Sequence, residues 1–289
     1  MANGPTRVAL LTLEDRGPFV IDDSLAIEEL GRRGWRVDEI PWRRDAPWEE
    51  YAGVVVRTTW DYQRDPDGFL QALDRISKRT ALWNPLQLIR WNIRKTYLRE
   101  LAARGLCVVP TRFGQGAAIE EWRALRGPHV LKPVIGANAD DTFALHAGLN
   151  GSELGAISRR FANREWLLQP YVDTIATEGE HSLFYFNHRY SHAVLKQPKE
   201  GDFRVQEEHG GLISREEPAD DLRAAADAVM ATLDKPLLQA RVDLVRLEDG
   251  TPALMELELI EPSLYFRQDG EAAGHFADAL IELLQTGQR

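Results

Sequence analysis

Residues 239–261 read QARVDLVRLEDGTPALMELELIE. Two strand-like runs flank Asp249-Gly250, and Asp-Gly is a strong signal for a two-residue hairpin loop. With those two residues as the loop, Asp243 faces Glu256 and Arg241 faces Glu258. All four side chains then share one face, because side chains alternate along a strand. The other face carries Val242, Leu244, Leu257 and Leu259, all apolar. Directly opposed like charges destabilise a sheet, so Asp243 against Glu256 calls for a cation. Mg²⁺ takes hard oxygen ligands and commonly combines one or two carboxylates with phosphate oxygens. A solvated or ion-paired face is the competing reading, and the residues by themselves leave both open.

Upstream of the hairpin, HAVLKQPKEGDFRVQEEHGG (192–211) sets Lys196, Lys199 and Arg204 around a glycine turn. Basic side chains on such a loop suit a transferring phosphoryl group; a polar hairpin is the alternative. LLQPYV (167–172) is a strand running into a loop, where Gln169 and the backbone of Tyr171 and Val172 would meet a ligand edge, or simply end a strand. Glu178 and Glu180 follow, as surface charge or as acceptors for ribose hydroxyls. Lys132 ends the apolar run HVLKPV, and VIGANADDT (134–142), around Gly136, is a loop of small residues. Lys95 lies in a segment, Trp91–Arg104, with helical spacing. Each lysine is a point charge for a phosphate or an ordinary solvent-seeking end. The seven histidines show no metal-ligand spacing, and no Walker lysine loop or GxSxG elbow is present.

The first 84 residues alternate strand and helix signals. Val8–Leu13, Trp35–Ile40 and Gly53–Thr58 read as strands, and Ser24–Gly31 and Phe69–Ile76 as helices. That order predicts a parallel sheet covered by helices, with ligands beyond the carboxyl ends of its strands. Asp15–Asp23 and Arg57–Tyr62 fall at that rim. There Arg57 would take a carboxylate and Asp61 an ammonium group, between Trp60 and Tyr62; the two aromatics would equally serve to pack a domain junction. Asp22 and Asp23 suit capping of the next helix. Asn84-Pro85 marks a boundary. The expected division is 1–84, an α/β domain on the substrate side; 85–168, a small lobe with its linker helix; and 169–289, a lobe with the phosphate and metal site.

Hydrophobic residues at 44% and charged residues at 28% give an ordinary globular balance. A net charge of −10 with no basic face argues against a nucleic-acid partner. No apolar run is long enough to span a membrane. MANGPTRVALLTL lacks a signal-peptide pattern and reads as a polar lead-in to the first strand. The single cysteine, Cys107, excludes an intrachain disulfide, suits a reducing cytoplasmic compartment and is expected to be buried.

Taken in order, the helix lysine, the strand lysine before a small-residue loop, the LLQPYV hinge, EGEHS, GDFR and RVDL…MELELIEP resemble the ATP-grasp superfamily over residues 84–285. Within it, RTTWDY, WNIRKTYL, VLKP, GDFRVQEEHGG and MELELIEPSL resemble a bacterial group that includes the ring-closing O-ureido-D-serine cyclo-ligase of cycloserine biosynthesis. The resemblance implies an α/β ATP-grasp fold behind an N-terminal parallel-sheet domain, with ATP and Mg²⁺ as cofactors. It implies Lys95, Lys132 and the Gly136 loop on the phosphates, Gln169, Tyr171 and Val172 on adenine, Glu180 on ribose, and Asp243, Glu256 and Glu258 on Mg²⁺. Many members have Asn where Glu258 stands, which adds charge here. The implied chemistry activates a small amino-acid-like carboxylate as an acyl phosphate, with Arg204 and Lys196 neutralising developing charge, and joins it to a nitrogen. A homodimer is compatible with this fold, but no residue pattern specifies one.

Overall fold

The computed structural model describes residues 6–199 and 201–287. Residues 1–5, most of the expected lead-in, lie outside that range, as do positions 200 and 288–289. The N-terminal unit runs β1 (Arg7–Thr12), α1 (Asp23–Arg32), β2 (Arg36–Pro41), β3 (Gly53–Thr58), α2 (Pro66–Ser77) and β4 (Ala81–Trp83). Its four strands are parallel in the order β2-β1-β3-β4. Every residue of β3 is buried, as a parallel strand covered on both faces requires. Helix α2 starts on Asp65, whose carboxylate accepts from Gly68 N at 3.0 Å, with Pro66 at the first helical position.

Two short helices follow, α3 (Leu86–Asn92) and α4 (Tyr97–Ala103). The single helix expected over Trp91–Arg104 is therefore broken, and Lys95 sits in the break. Asn92 holds one side of it, donating to Leu257 O at 2.8 Å and accepting from Leu259 N at 2.9 Å. Tyr97 holds the other, its hydroxyl accepting from Leu257 N at 3.0 Å.

The small lobe contains β5 (Arg112–Gln115), α5 (Ile119–Arg123), β6 (His129–Pro133), β7 (Phe143–Leu145), α6 (Gly151–Phe161) and β8 (Glu165–Pro170). These form an antiparallel sheet in the order β5-β8-β6-β7. Strand β8 crosses the boundary expected at 168/169. The third unit contains α7 (Thr174–Thr177), β9 (Glu180–Phe186), β10 (Arg189–Gln197), β11 (Leu212–Glu216), α8 (Asp220–Met230), β12 (Gln239–Arg246), β13 (Pro252–Glu258) and α9 (Ala272–Thr286). Its antiparallel sheet has the order β11-β10-β9-β12-β13.

Val242, Leu244, Leu257 and Leu259 pack with α4 and α8 through Leu98, Leu101, Leu222 and Val229. On the opposite face Phe184, Phe186 and Val194 join Phe276 and Leu280 of α9 and Val8, Leu10 and Val55 of the first sheet. The core on this second face thus spans the first and third units.

β13 is an edge strand, and an edge presents unpaired backbone groups. Asn92 and Tyr97 occupy part of it, and the 107–109 segment occupies more, with Leu254 N donating to Cys107 O at 2.9 Å and Val109 N to Leu254 O at 3.0 Å. Leu106 and Val108 turn inward there, so Cys107 is exposed, not buried as expected.

The pairings Asp243↔Glu256 and Arg241↔Glu258 are present, but the turn is not the two-residue one. Leu247 N donates to Thr251 O at 3.0 Å around a three-residue loop, in which Gly250 takes φ +83°. The pairing then runs one residue out, Leu244 against Leu254, until a bulge between Asp243 and Leu244 restores it. The two departures cancel at the carboxylates.

Candidate active site

Two adjoining cavities lie where the three units meet. One is lined by Gln169, Tyr171, Val172, Phe203 and Arg204. The other is lined by Trp60, Tyr62, Lys196, Arg241, Asp243 and Glu261. Lys95, Lys132, Gly136, Glu180, Glu256 and Glu258 line both, forming a common wall.

In the first cavity Gln169 is buried and donates through Nε2 to Thr111 Oγ1 at 3.0 Å. Its Oε1 has no partner among the described residues, so this buried acceptor suits an amino group of a base. Tyr171 N donates to Pro128 O at 2.9 Å and Val172 O accepts from Ile175 N at 3.1 Å. The expected hinge contacts therefore fall to Tyr171 O and Val172 N. Phe203 and Tyr171 meet edge to face, with ring centroids 6.4 Å apart. Arg204 is bound to Asp202 through Nε and Nη2, at 3.0 and 2.7 Å. It holds that carboxyl well below the usual range, with help from backbone N–H donors.

At the common wall Lys95 Nζ lies 2.6 Å from Glu256 and donates to Gly136 O at 2.9 Å. Burial works to lower its pKa, but Glu256 outweighs that and leaves it raised. Lys132 has no carboxylate within ion-pair distance among the described residues; its Nζ faces Met255 Sδ at 3.7 Å. Burial pulls its pKa down despite Glu256 and Glu180 nearby. A half-buried ammonium without an ion pair suits a phosphate oxygen. The loop over this wall is tied down by Asn138, which donates to Trp60 O at 2.9 Å, and by Asp141, which pairs with Arg164. Asn138, Ala139 and Asp141 all have positive φ, near +55°, a conformation such residues adopt only at a cost. A Cβ on Gly136 would sit 2.7 Å from Pro133 Cγ.

In the second cavity Lys196 is buried, donating to Glu180 at 2.7 Å and Asp243 at 3.1 Å. Asp243 also accepts from Arg241 Nε and Nη2 and from Ser182 Oγ. Arg241 pairs with Glu258 as well. The hairpin face is thus ion-paired, with Arg241 and Asp243 buried and Glu256 and Glu258 half-buried. Burial raises Asp243, but Arg241 and Lys196 more than reverse this and hold it low. Glu256 is likewise held low by Lys95 and Lys132 against burial. Glu258 and Glu261 go the other way. Burial, opposed in part by Arg241 and reinforced by Glu256, pushes Glu258 up to about 7; burial and Glu258 push Glu261 up to about 8.

This surplus of carboxylate decides whether Mg²⁺ fits. Among the described residues no three His, Cys, Asp or Glu side chains converge on a metal position. Mg²⁺ held with phosphates needs only one or two carboxylates, and Glu256 and Glu258 stand on the wall facing both cavities. Of the expected trio these two fit. Asp243 does not as placed, because its acceptor positions are filled by Arg241, Lys196 and Ser182.

Other expectations are corrected. Arg57 is 1% exposed and lines neither cavity. It is bound to Asp23, Gln239 Oε1 and Pro262 O, which join the first sheet to the third unit. Asp61 also lies outside both cavities, accepting from Trp42 Nε1 at 2.7 Å and pairing with Arg43. Asp22 turns to Arg267 N instead of capping α1. Arg204 and Lys196, expected to act together, stand in different cavities. Trp60 and Tyr62 do line the second cavity. Glu261 faces that cavity too. Strand alternation would put it on the other face, but β13 ends at Glu258, and Trp60 Nε1 holds the Glu261 carbonyl at 2.9 Å, turning the side chain back.

Residues 8–84 match the model of the D-cycloserine synthetase DcsG N-terminal domain. Over 254 residues the chain is 35% identical to the cycloserine biosynthesis protein DcsG of Streptomyces lavendulae, covering 82% of this chain and 85% of that one. The chain belongs to the DcsG family of ATP-grasp ligases. A crystal structure of D-cycloserine synthetase DcsG superposes with a TM-score of 0.85 at 30% identity, over 96% of this chain and 99% of that one. The ATP-grasp ligase PsnB, solved with a precursor variant, Mg and ADP, shares the fold at a TM-score of 0.65 and 17% identity, over 98% and 100% of the two chains. The ATP-grasp fold expected from the sequence is therefore present, and the protein is an enzyme of this ligase family. No helix among the described residues is long and apolar enough to cross a membrane.

Proposed function

We propose that this DcsG-family ligase activates the carboxylate of a small amino-acid-like substrate with ATP and closes a C–N bond on it, with ring closure of an O-ureidoserine as the leading case. The observation that carries this reading is the common wall: two cavities of different lining meet at two lysines and three carboxylates. ATP would lie in the first cavity, with its base at Gln169 and its terminal phosphates at Lys132. The substrate carboxylate would enter the wall from the second cavity. Its oxygen attacks the γ-phosphorus as the bond to ADP breaks, giving an acyl phosphate. A nitrogen then attacks the acyl carbon, loses its proton, and expels phosphate. Mg²⁺ at Glu256 and Glu258 would supply charge neutralisation on the phosphates when bound. The side chains mainly position and compensate charge. Lys132 holds phosphate, Lys95 fixes Glu256 and the Gly136 carbonyl, and the loop over the wall excludes water.

ADP release with Mg²⁺-ATP, tested against an amino-acid panel containing both enantiomers of O-ureidoserine with mass detection of products, checks this. ADP release with loss of water from one substrate is expected. ATP binding without ADP release from any panel member would remove the reading, and phosphorylated product without a nitrogen nucleophile would make the enzyme a phosphotransferase.

A further inference from the structure

We propose that the carboxylate of Glu261 is the seat of the substrate's free ammonium group, so that the second cavity selects α-amino acids whose amine is retained and is not the nucleophile. Glu261 is 7% exposed and lines the second cavity. Among the described residues its carboxylate has no ion-pair or hydrogen-bond partner; of the four cations lining this cavity, Lys132 stands beside Met255 Sδ with no carboxylate in ion-pair distance, and the other three are engaged elsewhere. Lys95 is on Glu256, Lys196 on Glu180 and Asp243, and Arg241 on Asp243 and Glu258. Burial makes such a carboxylate costly when ionised and favours its protonated form, so a cation brought by the ligand is what would hold it charged.

The partner's chemistry follows from position. Glu256 and Glu258 line both cavities, as a phosphate-bound metal requires, but Glu261 lines only the second. It therefore faces the organic substrate. Trp60 and Tyr62 beside it supply ring surfaces of the kind that favour an organic cation. An amine held as ammonium on a carboxylate has no lone pair to offer. The bond-forming nitrogen is then a different one, which separates this site from one that joins two amino acids through the amine it binds. The proposal rests on the ligase reading above for the place of the substrate.

The test is calorimetric binding of O-ureidoserine enantiomers, alanine and serine, against 3-(ureidooxy)propanoate, which lacks only the amine, in the presence of a non-hydrolysable ATP analogue. Wild-type protein should prefer the ammonium-bearing acid by about 100-fold, the scale of losing one partner of a buried charge pair. Glu261→Gln should abolish that preference and leave affinity for the ATP analogue unchanged. Glutamine is a neutral isostere of the protonated carboxyl that burial favours, so the variant's thermal midpoint should not fall. The wild-type comparison needs no variant at all. Equal binding of both acids by wild type, no binding of any ammonium-bearing acid, or a preference that survives Glu261→Gln overturns the proposal; the last result accompanied by altered Mg²⁺ dependence would make Glu261 a metal residue. ADP release is scored separately. Preference without turnover would remove the ligase reading and leave Glu261 in place; turnover without preference would do the reverse.

Discussion

Replacing Arg57 by methionine separates a structural role from a substrate-binding one. Arg57 donates to Asp23 from Nη2 at 2.7 Å and from Nε at 3.2 Å, to Gln239 Oε1 at 2.9 Å and to Pro262 O at 3.1 Å. Its guanidinium also lies 5.9 and 5.8 Å from the ring centres of Phe266 and Phe276. Methionine keeps the apolar stem but leaves Asp23, whose side chain is 2% exposed, without its cation. Breaking one side of a buried pair costs about 3–5 kcal/mol, roughly a fifth or more of a typical total of about 5–15 kcal/mol. Urea unfolding of Arg57→Met should show a loss of that size. Replacing Asp23 by leucine in the same chain should recover most of it, since an apolar pair removes the stranded charge. A single variant within about 1 kcal/mol of wild type that had lost affinity for the substrate acid would refute this and return Arg57 to the substrate site.

Lys132→Met should weaken ATP binding by about 10-fold or more, the scale of one charge-assisted hydrogen bond, while thermal stability holds or rises; calorimetry giving an unchanged affinity would remove the phosphate role. Gln169→Leu removes the unpaired buried acceptor, so the preference for ATP over GTP should narrow; a preference as wide as that of wild type would contradict the assignment. His192 is stacked on Phe184 at 4.3 Å, with Nε2 donating to Leu264 O at 2.9 Å, and burial lowers its pKa to about 4. The unfolded chain therefore binds this proton first. Stability is intact above the ordinary value near 6.5 and falls as pH drops towards 4, by up to about 3 kcal/mol. Urea midpoints for wild type and His192→Gln between pH 7 and 4 should diverge by about that much in free energy, and parallel curves would exclude the effect.

The fold was legible where period and chemistry agree. The strands around Val8, Val37 and Val54 and the helices of the first unit follow from apolar spacing, within a residue or three at their ends. Lys132, Gln169 and the hairpin carboxylates could be placed because strand order and alternation fix which side chains share a face. The hairpin also shows how a correct pairing can rest on the wrong turn. A loop one residue longer than Asp249-Gly250 would have moved the pairing by one, and the bulge at Met255 moved it back.

What the sequence concealed depends on partners far along the chain. Arg57 has the composition of a carboxylate receptor at a strand end, and nothing local reveals that Gln239, 182 positions later, takes its Nη1. Lys95 has the spacing of a helical residue, but Leu257 and Leu259 break that helix through Asn92 and Tyr97. Asp61 has an acid's capacity to hold an ammonium group, but Trp42 and Arg43 claim it first. In each case a polar side chain was assigned to a ligand when the protein itself supplied the complement. The same reasoning, run in the other direction, singles out Lys132, Gln169 and Glu261. These are polar groups of the two cavities for which the described protein supplies too little, and a ligand that satisfied all three would need phosphate, a base amino group and an ammonium ion.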